Sequence, residues 1–263
     1  MRQMLKPLAF LIIAGFAITS CKKEAKDTAQ DPISQETLAK ISDHGFGTSD
    51  VQKVEEGYLV EGDIILTEEY LNTVPGGNYL RIANNEQYRT TLLVAGLPRN
   101  ITISSSGAVS ANLSAAIDAA IKRYNDENLR ITMTRVASGG NINIQLINGG
   151  NYIASSGFPG NNGNPYGTVK YNRQYKNYSL GFMTTVIAHE VGHCIGFRHT
   201  DYMDRSYSCG GSPTNEGASN VGAVLIPGTP ADPDARSWML SCLSATTDRP
   251  FNNNDKTALA YLY

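Results

Sequence analysis

Three of the four histidines lie within eleven residues of one another, in a stretch that also carries a glutamate. His189 and His193 are four residues apart, so on a helix they face the same side, one turn from each other. Both rings can then reach one cation, and Glu190 projects beside them towards a metal-activated water. The stretch therefore predicts a Zn²⁺ site on a helix.

The third histidine of the stretch, His199, cannot share that face of a continuous helix. It follows His193 by six residues, and at 100° per residue a straight helix would place it about 240° away. Gly196 is the residue at which the helix can end, because a residue without a Cβ readily adopts left-handed backbone conformations. Three imidazoles would then hold zinc and leave one tetrahedral position open, which is typical of catalytic sites.

The string HEVGHCIGFRH, from His189 to His199, resembles the motif H-E-x-x-H-x-x-G-x-x-H of the metzincin zinc peptidases. Metzincins also have a methionine-containing turn beneath the zinc, and the segment Ser-Trp-Met-Leu-Ser around Met239 resembles that turn. The longer string HEVGHCIGFRHTD, together with residues 226–230, resembles the bacterial dual-action HEIGH metallopeptidases, which are often predicted lipoproteins.

The resemblance implies an α+β, metzincin-like zincin fold, with a mixed, mainly parallel sheet, an active-site helix and a smaller C-terminal subdomain. It also implies a monomeric, zinc-dependent endopeptidase that hydrolyses protein or peptide substrates, with Glu190 as the general base. Two other functions stay open. The protein is then either a non-catalytic surface-binding lipoprotein braced by zinc, or a zinc hydrolase that acts on a non-peptide bond.

One position departs from the pattern of astacin-like and serralysin-like metzincins, which have a tyrosine two residues after the methionine as an additional zinc ligand. Here that position is Ser241, so we expect three protein ligands. Tyr202 and Tyr207 either supply a hydroxyl to the transition state or pack a loop. Asp201 and Asp204 either orient a zinc ligand or are solvated loop acids.

A segment before the peptidase motif contains Gly62 and Asp63 between two apolar runs. It resembles the F-x-G-D stretch of astacin-like propeptides, in which the aspartate takes the open position of the zinc, although Val60 stands where that pattern has phenylalanine. The resemblance makes Asp63 a candidate latency ligand and residues 37–86 a prosegment. The alternative is a β-hairpin with a surface acid, because a Gly-Asp pair between apolar runs is a common turn signal.

The N-terminal residues predict export. Basic residues precede an apolar run from Leu8 to Ile18, which has the length of a signal-peptide core and is shorter than the roughly 20 residues of a membrane-spanning helix. The Ile-Thr-Ser-Cys at its end resembles a bacterial lipobox, in which Cys21 carries the lipid; an ordinary cleaved signal is the alternative. We predict a signal peptide at 1–20, a flexible tether at 21–36, and a protein anchored by lipid to the bacterial cell envelope, at the outer membrane or cell surface, or released after processing.

Hydrophobic periodicity in the rest of the chain predicts a mixed α/β layer. The resemblance implies that residues 87–263 are the peptidase domain. His44 is expected at the surface of the prosegment. We expect strands at 58–60, 64–66, 100–105, 129–136, 141–147 and 167–172, helices at 111–128, 184–197 and 256–263, and a loop at 157–167.

Apart from Cys21, the chain has three cysteines, an odd number for an oxidising compartment. We expect one disulfide and one thiol among Cys194, Cys209 and Cys242, with all three pairings open. The formal net charge of -2 excludes a strongly basic protein that binds nucleic acid through clustered phosphate contacts.

Overall fold

The computed structural model describes residues 33–73, 87–150, 152–215, 223–230 and 233–263. They belong to one compact unit, Pro32–Tyr263. The predicted signal peptide, Cys21 and most of the predicted tether lie outside the described residues. Within the described ranges, no helix has both the length and the apolar character needed to cross a membrane.

Strands and helices alternate along much of the chain. The strands are β1 (Gln52–Val54), β2 (Gly57–Val60), β3 (Ile64–Leu66), β4 (Tyr88–Arg89), β5 (Arg99–Ser106), β6 (Ile131–Arg135), β7 (Ile142–Ile147), β8 (Ala154–Gly157), β9 (Thr168–Asn172) and β10 (Val224–Leu225). The helices are α1 (Gln35–Asp43), α2 (Glu68–Leu71), α3 (Ala111–Asn125), α4 (Leu180–Cys194), α5 (Ser206–Cys209) and α6 (Asn253–Leu262), with a 3₁₀ turn at Arg173–Tyr175.

Eight of the strands form one mixed sheet in the order β1-β2-β3-β8-β9-β7-β5-β6, and β4 pairs separately with β10. Four of the seven strand pairs in the large sheet are parallel: β3 with β8, β5 with β6, β5 with β7, and β7 with β9. β8 runs antiparallel to β9. The prediction of an α+β fold with a mixed, mainly parallel sheet is confirmed.

Helices α3 and α4 pack against each other beside the sheet and build the main core. Ser110 caps α3 by accepting a hydrogen bond from the Leu113 amide. The hydroxyl of Tyr124 on α3 donates to the carbonyl of Ala188 on α4 over 2.7 Å. The stripe predicted for α3 is confirmed, since its buried residues are Leu113, Ala116, Ile117, Ala120, Ile121 and Tyr124. Helix α4 is buried on every side from Phe182 to Cys194, as expected of a central helix that is apolar all round.

Residues 33–73 have a small apolar core of their own but are joined to the rest of the protein through the sheet. The predicted strands at 58–60 and 64–66 form a hairpin, β2 with β3. Because β3 also pairs with β8, the hairpin extends the sheet of the larger part. Phe158, which follows β8, packs into the small core. The division into a prosegment and a peptidase domain stays a prediction.

Several boundaries differ from the expectations. Helix α4 begins at Leu180 rather than 184, because Ser179 caps its first turn. It ends at Cys194, two residues before Gly196, where the sequence predicts the end of the helix. Strand β8 was not predicted, and α1 begins at Gln35, inside the predicted tether. The expectation that His44 lies at the surface is wrong. The His44 ring is 3% exposed, contacts Tyr70 and is hydrogen-bonded to the carbonyl of Leu71.

Candidate metal centre

Helix α4 carries three of the predicted site residues on its buried C-terminal half. His189 and His193 lie one turn apart, as the four-residue spacing requires, and their Nε2 atoms are 3.0 Å from each other. Glu190 lies beside them and is 2% exposed. The apolar residues around the helix fix its position, so these polar side chains are held by the packing of the core.

The chain leaves the helix axis at Gly196, as the sequence predicts. Gly196 has a φ of +112°, and a Cβ there would lie 2.7 Å from Leu93 Cδ2 and 2.8 Å from the Leu92 carbonyl oxygen, so only glycine fits. After the turn, the Arg198 amide donates to the Tyr88 carbonyl over 2.8 Å. This redirection brings His199 Nε2 to 3.2 Å from His193 Nε2.

The segment around Met239 packs against the zinc-motif helix. Met239 is fully buried, and its sulfur lies 2.6 Å from the point that a Cβ on Gly192 would occupy. The Trp238 amide donates to Asp255 at the start of α6, over 3.3 Å. The Met239 carbonyl accepts from the Thr200 amide over 2.9 Å. The segment thus ties α6 and the residue after His199 to the helix that carries His189 and His193.

Hydrogen bonds to main-chain carbonyls set the tautomers of two histidines. Nδ1 of His189 lies 2.9 Å from the carbonyl oxygen of Trp238, and Nδ1 of His193 lies 2.7 Å from that of Phe197. A carbonyl only accepts, so each Nδ1 carries the hydrogen and each neutral ring turns its Nε2 lone pair towards the other rings. Burial lowers the pKa of His193, which the neighbouring His189 and His199 lower further, so its ring is neutral.

A metal ion fits this arrangement. Two Nε2 lone pairs 3.0 Å apart cannot hydrogen-bond to each other, whereas one cation between them satisfies both. The ligand atoms of Asp63, His189, His193 and His199 all lie within 4.8 Å of one another. Among the described residues, this is the group of at least three histidine, cysteine or acidic side chains whose geometry suits a metal. Buried imidazoles with Nδ1 bound to an acceptor are typical zinc ligands.

Asp63 enters the site from the hairpin rather than facing solvent. Its Oδ2 lies 3.2 Å from His199 Nε2 and 3.4 Å from His189 Nε2. Burial alone would raise the pKa of Asp63, but the neighbouring imidazoles of His199 and His189 hold it well below its usual range. The structure therefore brings all four predicted residues to one point.

Glu190 has a hydrogen-bond partner that the sequence did not suggest. Ser156, on β8, places its hydroxyl 2.6 Å from Glu190 Oε2 and 3.0 Å from the main-chain carbonyl oxygen of Glu190. Burial raises the pKa of Glu190 well above its usual value, and the charge of Asp63 raises it further, while the Ser156 hydrogen bond opposes this. Sequence reasoning missed Ser156 because it lies in a strand that has no periodic signal.

The residues after His199 pack and tie down the loop that follows it, which is one of the two roles expected for the tyrosines. Asp201 is fully buried and accepts hydrogen bonds from the Ser241 amide and from the Ser208 hydroxyl, so its interpretation as a solvated loop acid is wrong. The Tyr207 hydroxyl donates to the Pro233 carbonyl. Tyr202 packs edge-on against Tyr88. Neither tyrosine lines the cavity beside Glu190.

Two of the cysteines whose pairing was open are joined. Cys209 and Cys242 form a disulfide, and Cys194 is a buried free thiol, which confirms the expected count of one disulfide and one thiol. Burial raises the pKa of the Cys194 thiol, so it is an unreactive core residue. The disulfide links α5, which follows His199 in the chain, to the segment after Met239.

Comparison with known proteins gives the family. The model of the dual-action HEIGH metallo-peptidases matches residues 58–263, more than half of the chain. The chain belongs to this family. A comparison with curated protein sequences gave no match.

Two solved structures show similarity of low degree. Myroilysin is 16% identical, with a TM-score of 0.42, over 65% of this chain and 86% of that one. High choriolytic enzyme 1, a hatching-enzyme zinc protease from the medaka fish Oryzias latipes, is 15% identical, with a TM-score of 0.37, over 62% of this chain and 88% of that one. The family and the three-histidine site together make the chain a zinc metallopeptidase.

Zinc binding should depend on the converging imidazoles. In isothermal titration calorimetry, the metal-free protein is expected to bind one equivalent of Zn²⁺, and His193→Ala should weaken that binding by at least about 100-fold, since loss of a partner outside the ligand set already costs 10–100-fold. The melting temperature of the parent protein should rise with zinc concentration.

His44→Asn is the matched control, because it removes the one imidazole outside the cluster and should leave the stoichiometry and affinity unchanged. Equal zinc affinity for His193→Ala and the parent protein would contradict the assignment.

Proposed function

We propose that this zinc metallopeptidase is an endopeptidase in which Glu190 acts as the general base. The main support for this proposal is the position of the Glu190 carboxylate. It lies beside the converging imidazoles, accepts a hydrogen bond from Ser156, and faces a cavity of about 270 Å³. A purely structural zinc site with three histidines does not require a buried carboxylate at this place.

The residues of the site divide the chemistry among them. Zinc bound by His189, His193 and His199 supplies the Lewis acidity that polarises the scissile carbonyl and acidifies a water. Glu190 accepts a proton from the attacking water and delivers it to the leaving amine. Burial raises the pKa of Glu190, which makes its carboxylate a stronger base towards the water. The Ser156 hydroxyl orients the carboxylate.

We further propose that residues 37–86 hold the enzyme latent through Asp63. The carboxylate of Asp63 points at the imidazole nitrogens and can take the open position of the metal. The Ser156 amide donates to the Asp63 carbonyl over 2.9 Å, and β3 pairs with β8. The hairpin therefore covers the same strand edge that an extended substrate would use through main-chain hydrogen bonds.

A buried ion pair fastens the hairpin in this place. Arg198, the residue before His199, is fully buried and lies 2.5 Å from Glu61 in the hairpin turn. It also donates to the Gly45 carbonyl and stacks on the ring of Phe46, 4.3 Å from its centroid. Separation of residues 37–86 from the site would take Glu61, Gly45 and Phe46 away from this cation, which supports a lasting, latent arrangement.

Removal of the Asp63 carboxylate should activate the enzyme. Asp63→Ala is expected to cleave a denatured, fluorescently labelled protein about tenfold faster or more than the parent chain, because the open metal position then takes water and substrate; a tenfold change corresponds to about 1.4 kcal/mol. The rate of release of labelled peptides is the measurement.

Asp50→Ala is the control, an exposed acid of the same segment, and should behave as the parent chain. An unchanged rate for Asp63→Ala would count against latency through this residue.

The role of Glu190 is tested in the activated Asp63→Ala variant. Glu190→Ala combined with Asp63→Ala should bind zinc and unfold at a similar temperature but hydrolyse the labelled protein about 10³-fold more slowly, the usual contribution of a general base. Glu55→Ala, which removes an exposed carboxylate, is the matched control. Retained activity without Glu190 would overturn the mechanism.

We also propose that the protein is exported and held as a monomer on the cell envelope by a lipid on Cys21. The proposal is supported by the lipobox-like string that ends at Cys21 and by the disulfide Cys209–Cys242, which suits an oxidising compartment.

Substitution of Cys21 should remove the anchor. When the gene is expressed in a bacterium that lipidates exported proteins, the parent chain should take up labelled palmitate and partition into the detergent phase of Triton X-114, whereas Cys21→Ser should do neither. Cys194→Ala, which removes a cysteine of the folded part, should behave as the parent chain. Uptake of palmitate by Cys21→Ser would disprove lipidation at this residue.

A further inference from the structure

The cavity beside Glu190 extends well past the reacting groups. Its lining comes from the hairpin turn, from helix α4 and from the segments before β8 and after Met239. Apolar and aromatic side chains in this lining are Tyr152, Ile153, Tyr175, Val186, Leu240 and Leu243. At about 270 Å³, it has room for a substrate side chain in addition to the groups at the bond that is cleaved.

Two cations line the cavity, and one of them, Arg205, lies beside Gly62 of the hairpin turn. The other is Arg249. Its backbone amide donates to the Thr185 hydroxyl over 2.8 Å, one turn before His189 on α4, and its Nη1 donates to the Cys242 carbonyl over 2.9 Å. Cys242 is held by its disulfide with Cys209. Arg249 is therefore fixed at two points by elements that also position the metal site.

Arg249 is half-buried without an acidic partner in the part of the chain that the structure describes. The neighbouring Asp248 instead pairs with Arg123. Among the described residues, no carboxylate oxygen lies within 4.0 Å of a side-chain nitrogen of Arg249. Burial lowers the pKa of Arg249, and the charges of Asp201 and Asp255 oppose this from a distance.

The carboxylates that line the cavity are engaged elsewhere. Glu61 is paired with Arg198, Asp63 faces the histidines, and Glu190 accepts from Ser156. A guanidinium whose donors are only partly used, in a cavity with apolar side chains around it, offers a partner to a ligand carboxylate, because the two groups can form charge-assisted hydrogen bonds.

We propose that this cavity is a specificity pocket and that Arg249 selects a substrate with a glutamate or aspartate next to the cleaved bond. The inference rests on the proposed endopeptidase function. The apolar walls formed by Val186, Leu240 and Leu243 contact the methylene groups of the acidic side chain, and the guanidinium of Arg249 binds its carboxylate. Glutamate, with one more methylene group than aspartate, reaches farther along these walls.

The test uses the full chain carrying Asp63→Ala. It is incubated with a library of peptides from a digested proteome, and mass spectrometry identifies the cleaved bonds. Acidic residues should be enriched at one of the two positions that flank the bond. A fluorogenic peptide built on the best sequence is then compared with its Glu→Gln counterpart, and kcat/KM should be about tenfold higher, or more, for the glutamate peptide.

The ratio of the two kcat/KM values separates specificity from a structural role. Arg249→Gln should bring the ratio close to one, and Arg249→Lys should restore part of it, whereas a purely structural role would lower both rates and keep the ratio. Arg236→Gln, at an exposed arginine outside the cavity, should keep the ratio of the parent form.

Two outcomes overturn the inference: a library profile without acidic enrichment at either flanking position, or a ratio that persists in Arg249→Gln. Both leave the endopeptidase function standing, because peptides are still cleaved. A library in which no peptide is cleaved would instead count against the proposed function itself.

Discussion

Three imidazole nitrogens directed at one point are the constraint on which the rest of the structure depends. His193 Nε2 lies 3.0 Å from that of His189 and 3.2 Å from that of His199, and neutral rings at such distances place lone pairs against each other. The rings of His189 and His193 cannot rotate away without breaking buried hydrogen bonds to carbonyls. A cation relieves the repulsion only in the folded state, so zinc binding and stability are linked.

The carbonyls that hold these rings come from chain segments outside α4. Phe197 follows the glycine turn, and Trp238 belongs to the segment beneath the helix. That segment is itself held from two sides, by Asp255 at the start of α6 and by the contact of Met239 with Gly192. The orientation of the metal ligands is therefore determined as far away as the last helix, which explains why a helix remote in sequence from the motif belongs to the site.

Residues 33–73 also contact the elements that hold the metal site. Their hairpin continues the sheet past β8, and their Glu61 neutralises Arg198, a buried cation beside a metal ligand. Loss of one member of such a pair costs about 3–5 kcal/mol. Glu61 also adopts a φ of +55°, a conformation of limited stability that the ion pair maintains. Release of the site from Asp63 thus requires more than a local movement, because the ion pair and strand pairing must be broken together.

Local spacing made the metal ligands predictable, and long-range pairing made their surroundings unpredictable. Residues four apart share a helix face whatever surrounds the helix, so His189 and His193 are evident from one short string. Strand β8 reads Ala-Ser-Ser-Gly, which has little strand propensity, and it is a strand because β3 and β9 flank it. The partner of Glu190, Ser156, was missed for that reason. Glu61 and Arg198 are 137 residues apart. From its local sequence, each would be taken for an ordinary surface charge. The two come together only because β3 pairs with β8.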